Sequence, residues 1–165
     1  MIDKIFKRKK EIVKEQIYAP LSGELIPLEN VPDPVFAGKM MGEGVAIIPE
    51  EGKLVSPVEG EVIQVFHTKH AIGIRSISGL EILIHIGLET VELDGEGFDV
   101  QIAKGQKVKV GDPLVNFDIS FLKSKNKEII TPIIITNYSE KVDGIVQVKS
   151  GVISKEDMLF MCNIK

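Results

Sequence analysis

Hydrophobic and polar positions change rhythm once along the chain, near residue 17. In "MIDKIFKRKKEIVKEQ" (residues 1–16), Ile2, Ile5, Phe6, Ile12 and Val13 recur at helical spacing among charged residues. From Ile17 onward the apolar residues come in short runs rich in valine and isoleucine, as in "SPVEGEVIQVF" and "KGQKVKVGDPLVNFD". These runs are broken by Gly, Pro, Asn and Asp every eight to twelve residues or so, the pattern of an all-β antiparallel sandwich or barrel. Two windows, "VPDPVFAGK" and "SFLKSKNKE", each have room for one helical turn, the first restricted by Pro32, Pro34 and Gly38.

Internal echoes run through the β-rich part. "APLSGE" at 19–24 returns as "SPVEGE" at 56–61, "GEG" occurs at 42–44 and 95–97, and "GQKVKVGDPL" at 105–114 has a looser echo in "GVISKEDML" at 151–159. They suggest pseudo-symmetry of the kind that builds many all-β folds.

Composition narrows the picture. A chain of 165 residues with 44% hydrophobic content makes one domain with a real core, expected at residues 17–165. The segment 1–16 holds six basic and three acidic residues, a local +3 in a chain of net charge −4. It is expected to be a flexible basic amphipathic arm, either solvated or making peripheral contact with an anionic membrane surface. The overall charge gives no footprint for nucleic acid, and no apolar run has the eighteen or so residues of a membrane span. A single cysteine, Cys162, excludes an internal disulfide, and no signal-peptide pattern opens the sequence, so a cytoplasmic location is expected.

The candidate chemistry lies in the histidines, His67, His70 and His85. "HAIGIR" and "LEILIHIG" read as two strands joined at "SISG". If Ser76 to Gly79 form the turn, His70 lies opposite His85, and a slip by two places His85 opposite Ile72. Either register leaves His70 and His85 on one face, because side chains alternate with period two.

Two imidazoles on an apolar face admit three readings. They can be half-buried residues satisfied by the backbone. They can be zinc ligands, for which Asp33 or Glu89 would have to supply a third, although no H-x-H, HExxH or C-x-x-C is present. Or one neutral ring can attack phosphorus, its other nitrogen held by a backbone carbonyl, while the second ring donates to the phosphoryl oxygens. Neither "GEG" extends to GxGxxG, since Ile47 and Val100 stand at the third glycine positions, and GxxxxGK[ST] is absent. A phosphoryl donor would therefore be another protein.

"HIGLETVELDGEGF" (85–98), "TKHAIGI" (68–74), "NVPDPVFAGKMMGEGVAI" (30–47) and "APLSGE" (19–24) closely resemble the glucose-type IIA component of the bacterial phosphoenolpyruvate:sugar phosphotransferase system, from about Ile17 to "TPIIITN" (131–137). The resemblance implies an antiparallel β-sandwich of the duplicated hybrid type. It implies a relay that takes a phosphoryl group from the phosphocarrier HPr onto a histidine and passes it to the IIB domain of a sugar permease, without cofactor or metal. Binding of regulatory protein targets is a further implied property. A free-standing monomer is the expected form.

By this resemblance His85 is the phosphorylated residue, His70 steadies the phosphoryl group, Thr68 orients His70, and Gly87 offers the carbonyl that orients His85. Asp33 and Glu89 match acidic rim positions that meet basic residues of partners. Val35, Phe36, Phe66, Leu83, Ile86 and Val91 fall at or near the family's apolar contact patch. His67 is expected at the surface with no role. Gly73 and Leu83 stand where some members carry phenylalanine, implying a flatter patch, and the tail after Asn137 keeps a strand-like rhythm without a matched motif. Two alternatives are carried alongside: a purely regulatory protein-binding module, and a zinc-dependent hydrolase of related fold, which would need a histidine where Gly87 stands.

Overall fold

Strand runs that are apolar at every position, such as "ILI" and "PIII", form where a sheet is covered on both faces, and that constraint organises this fold. The computed structural model describes residues 14–147 and 149–165. The first strands are β1 (Lys14–Tyr18), β2 (Gly23–Pro27), β3 (Glu43–Pro49), β4 (Lys53–Val55), β5 (Gly60–Val65), β6 (Ala71–Ser76) and β7 (Glu81–His85). They are followed by β8 (Phe98–Val100), β9 (Lys107–Val108), β10 (Pro113–Phe117), β11 (Thr131–Ile135), β12 (Val142–Gln147), β13 (Gly151–Ile153) and β14 (Met158–Ile164). An eight-stranded sheet in the order β13-β2-β3-β11-β7-β6-β5-β9 packs with two three-stranded sheets, β1-β14-β12 and β4-β10-β8, and every pairing is antiparallel. No ladder joins β13 to β9, so of the two architectures the spacing allowed, the sandwich forms and the closed barrel does not.

Ile72, Ile74, Ile82, Ile84, Ile133 and Ile135 point from the large sheet into the main core, where they meet Ile17, Leu54, Leu114 and Phe160 of the small sheets. The alternate residues Ala71, Leu83, Ile134 and Ala46 point to the opposite face and are covered by Leu28, Val31 and Phe36. That cover comes from a 3-10 turn at Leu28–Asn30 and from α1 (Pro34–Ala37). The Asp33 side chain caps α1, its Oδ1 accepting from Val35 N at 2.9 Å, and Pro34 takes the first helical position, where no N–H is needed. The second predicted turn is α2 (Ile119–Ser124), capped by Asp118, which accepts from Phe121 N at 3.0 Å. A third, α3 (Tyr138–Lys141), interrupts the tail's strand rhythm. There the Asn137 side chain donates to Gly79 O and accepts from Glu81 N, both at 2.9 Å, tying the end of β11 to the connection between β6 and β7.

The echoes mark a pseudo-two-fold arrangement. Tyr18 N donates to Pro57 O, and Val55 N donates to Pro20 O, both at 2.9 Å, so the first pair of echoed segments bond reciprocally. The pairing of β1 with β14 (Gln16↔Met161, Ile17↔Phe160, Tyr18↔Met158) repeats in β4 with β10 (Lys53↔Asn116, Leu54↔Val115, Val55↔Pro113), including the slip in register at the same step. The turns before β10 and β14 match as well: Lys109 N donates to Asp112 Oδ2 at 2.9 Å and Ser154 N to Asp157 Oδ2 at 3.0 Å. "GEG" does not belong to this symmetry, since Gly42 and Gly44 bracket the start of β3 while Gly95 and Gly97 lie in a loop before β8.

One boundary moves. Lys14, Glu15 and Gln16 pair with Asn163, Cys162 and Met161 in the β1–β14 ladder, so they are sheet rather than part of the amphipathic arm predicted for residues 1–16. The rest of that arm lies outside the described residues.

If the two Asp turns are structural equivalents, Asp112→Ala and Asp157→Ala should each lower stability by about 1 kcal/mol, the net worth of one such hydrogen bond. The exposed contact between Asp157 and Lys149, 3.7 Å, adds only a few tenths at most. Urea unfolding of both variants measures the two losses, and a large inequality would show that the turns are not equivalent.

Candidate functional site

The register of β6 and β7 differs from the one the sequence suggested. Arg75 pairs with Glu81, leaving a five-residue connection, and Ala71 rather than His70 stands opposite His85. Strict alternation from this register would send the two histidines to opposite faces. The chain avoids that because β6 begins only at Ala71: Lys69 adopts the left-handed region at φ 66° and its N–H closes a turn on Phe66 O at 2.8 Å. His70 therefore sits on a turn, tied to the loop after β7 by Ile86 N donating to His70 O at 2.7 Å. The rings meet edge to face, centroids 4.7 Å apart at 81°. The predicted contact exists, produced by a turn and not by ladder parity.

His85 ends β7, half-buried, and its Nδ1 lies 2.8 Å from Gly87 O. A carbonyl only accepts, so Nδ1 carries the proton and Nε2 keeps its lone pair when the ring is neutral. Gly87 reaches this position at φ +74°, and a Cβ there would lie 2.7 Å from Thr90 Cγ2 and 2.8 Å from Glu128 O. His70 is buried, its Nδ1 hydrogen-bonded to Thr68 Oγ1 at 2.9 Å, and Thr68 is itself buried. Phe36 of α1 packs on the His85 ring with centroids 5.0 Å apart, and the edge of Phe66 meets His70 at 5.5 Å.

Burial, with lesser effects from the neighbouring His85 and His67, lowers the His70 pKa from 6.5 to about 4. Burial also lowers that of His85, opposed by the Gly87 carbonyl and the Asp33 charge. Both rings are neutral at physiological pH.

The remaining predicted residues separate into rim, floor and core. Val35 and Val91 are exposed, at 40% and 51%. Glu89 is exposed in the left-handed region at φ 58°, opening the 3-10 turn Thr90–Leu93. Asp33 is half-buried and serves the α1 cap while its charge acts on His85. Phe36 and Leu83 are buried in the outer cluster with half-buried Phe66 against them, and Gly73 stands opposite Leu83 in the ladder. Ile86 does not belong to a contact patch: it is fully buried in the main core, one residue out of phase with His85. His67 is exposed, as expected. Asp33 and Glu89 do not complete a metal site, for no group of three His, Cys, Asp or Glu side chains among the described residues could hold an ion.

Sequence reasoning did not single out the bolts of the loop after β7. Thr90 is fully buried and its Oγ1 donates to Ile86 O at 2.6 Å, while Leu88 N donates to Glu128 O at 3.0 Å. The sequence carries only a threonine four residues after Ile86 as a signal for the first, a spacing at which its hydroxyl can reach the earlier carbonyl.

The family model for the phosphoenolpyruvate-dependent sugar phosphotransferase system, EIIA 1, matches residues 15–141. The chain belongs to this family. It is 50% identical over 161 residues to the PTS system glucose-specific EIIA component of Staphylococcus epidermidis, covering 93% of this chain and 97% of that one. To the protein of the same description from Bacillus cereus it is 56% identical over 137 residues, covering 83% of each. Among solved structures, the glucose permease IIA from Mycoplasma capricolum superposes with a TM-score of 0.82 at 40% identity, covering 90% of this chain and 95% of that one. As a phosphotransferase-system IIA protein, the chain is a component of sugar uptake by phosphoryl transfer. No described helix is long and apolar enough to cross a membrane.

Gly87→Ala should destabilise the fold by about 1–3 kcal/mol through strain and contact with Glu128 O, and should turn the carbonyl away from His85. Thermal unfolding together with the His85 nitrogen shifts would register both effects.

Acid should act on His70. The unfolded ring binds its proton near 6.5 and the folded ring near 4, so the unfolded state holds more protons between these values. The stabilising contribution is complete above pH 6.5, declines as pH falls through that window, and is gone below about 4. A plot of Tm against pH for His70→Gln should be flatter than wild type across this window; parallel curves would mean that His70 titrates normally.

Proposed function

We propose that the chain accepts a phosphoryl group from phospho-HPr on His85 Nε2 and passes it to the IIB domain of a glucose-type sugar permease on the cytoplasmic side. The observation that carries this reading is the fixed, neutral His85, with Nδ1 committed to Gly87 O and its ring against His70.

The Nε2 lone pair attacks phosphorus in line, and the N–P bond of the donor breaks as the new one forms, its electron pair returning to the HPr imidazole. Bond formation places positive charge on the His85 ring, which the Nδ1–H···O=C bond to Gly87 offsets. For neutral His70 to donate from Nε2 to a phosphoryl oxygen, its Nδ1 must be the acceptor, so the Thr68 hydroxyl donates to it. The added phosphoryl charge raises the His70 pKa again, strengthening the interaction only once the group has arrived. A thiolate or other nucleophile of the IIB domain then attacks phosphorus, and His85 leaves as the neutral ring.

Asp33 and Glu89 set a negative rim for basic residues of HPr and IIB, while Val35 and Val91 provide exposed apolar contact over the floor of Phe36, Phe66 and Leu83. One flat surface of this kind serves donor and acceptor in turn.

Phosphoenolpyruvate, the general phosphotransferase proteins and the purified chain provide the test. Wild type should gain one acid-labile phosphate and His85→Gln none. His70→Gln should still accept but pass phosphate to IIB roughly 10–100-fold more slowly. Labelled His85→Gln would contradict the assignment of the nucleophile, and onward transfer by His70→Gln at the wild-type rate would remove His70 from the mechanism.

A further inference from the structure

Besides carrying the rim residue Glu89, the loop from Ile86 to Thr90 holds the Gly87 carbonyl against His85 Nδ1, and two of its residues take backbone conformations that L side chains rarely adopt. Gly87 and Glu89 are both left-handed, at φ 74° and 58°. Two backbone bonds anchor its early part, Ile86 N to His70 O and Leu88 N to Glu128 O. Neither closes the loop on itself. That bond comes from a side chain: Thr90 Oγ1 donates to Ile86 O at 2.6 Å, across the three residues Gly87, Leu88 and Glu89 that carry the carbonyl and its turn.

We infer that Thr90 is a positioning residue for phosphoryl transfer, its buried hydroxyl closing the loop that presents the Gly87 carbonyl to His85. The inference rests on the His85 reading given above. Thr90 is fully buried, so its hydroxyl has no water to turn to, and loss of its partner would leave Ile86 O without that bond. The methyl group contributes separately: Cγ2 lies where it would be 2.7 Å from any Cβ at Gly87, filling the space beside that glycine. Thr90 also opens the 3-10 turn that carries Val91, so the same bond ties the nucleophile's carbonyl to the exposed rim.

Thr90→Val removes the hydroxyl and keeps the shape, whereas Thr90→Ser keeps the hydroxyl and removes the methyl. Two readouts are taken on both: the His85 tautomer from long-range proton–nitrogen correlation of the unphosphorylated protein, and the single-turnover rate of phosphate acceptance at saturating phospho-HPr. Wild type and Thr90→Ser should show His85 protonated on Nδ1. Thr90→Val should populate the Nε2–H form and accept phosphate at least about tenfold more slowly, as expected when a reacting group loses its alignment. A wild-type tautomer and rate in Thr90→Val would overturn the inference, as would equal loss in Thr90→Ser, which would make the methyl packing responsible. The tautomer is read without any transfer, and a His85→Gln control run alongside reports on the nucleophile alone. Failure of the relay reading and failure of the Thr90 inference are thereby distinguished.

Discussion

A single hydrogen bond, from His85 Nδ1 to Gly87 O, decides what this surface can do. Imidazole offers two nitrogens of similar basicity, and a nucleophile needs one of them to keep its lone pair while the other holds the proton. Gly87 makes that choice from two residues away, and only glycine fits there, since its left-handed backbone is packed against Thr90 and the Glu128 carbonyl. Burial around this bond holds the pKa of both histidines below the usual imidazole value, so both rings are neutral at physiological pH. In the proposed relay, this leaves an attacking ring available at physiological pH and lets the second ring become a stronger donor as charge arrives.

The sheet explains how a polar pair sits on such a surface. Its inner face is closed by the small sheets, and its outer face by the 3-10 turn and α1, which bury Ala71, Leu83 and Ile134 and bring Phe36 to the His85 ring. The cover stops at the histidines. The outcome is an apolar area edged by Asp33 and Glu89, in which the His85 ring is fixed through Nδ1 to Gly87 O.

Much of this was legible in the sequence. The β-rich architecture and the two helical turns follow from turn residues and short apolar runs, and the echoes other than "GEG" mark equivalent pairings down to a shared slip in register. The histidine pair was found for an incomplete reason. Alternation assumed that His70 lay in a strand with an even loop beyond it, but the loop is odd and Lys69 turns the chain just before the ladder begins. Ile86 was misplaced because a patch residue and a core residue look alike in a run with no polar alternation. Thr90 and Glu128 were missed because one acts through a carbonyl four residues back and the other through its backbone, and α3 because its four residues have no apolar period.

The nitrogen that carries the phosphoryl group tests the account most directly. With nitrogen-15 in the histidine rings and phosphate transferred from phosphoenolpyruvate, phosphorus–nitrogen coupling identifies the bonded atom. The geometry predicts coupling to Nε2 of His85, with Nδ1 still protonated and facing Gly87. Coupling to Nδ1 would mean that the Gly87 bond is broken on phosphorylation, and the central claim would be wrong.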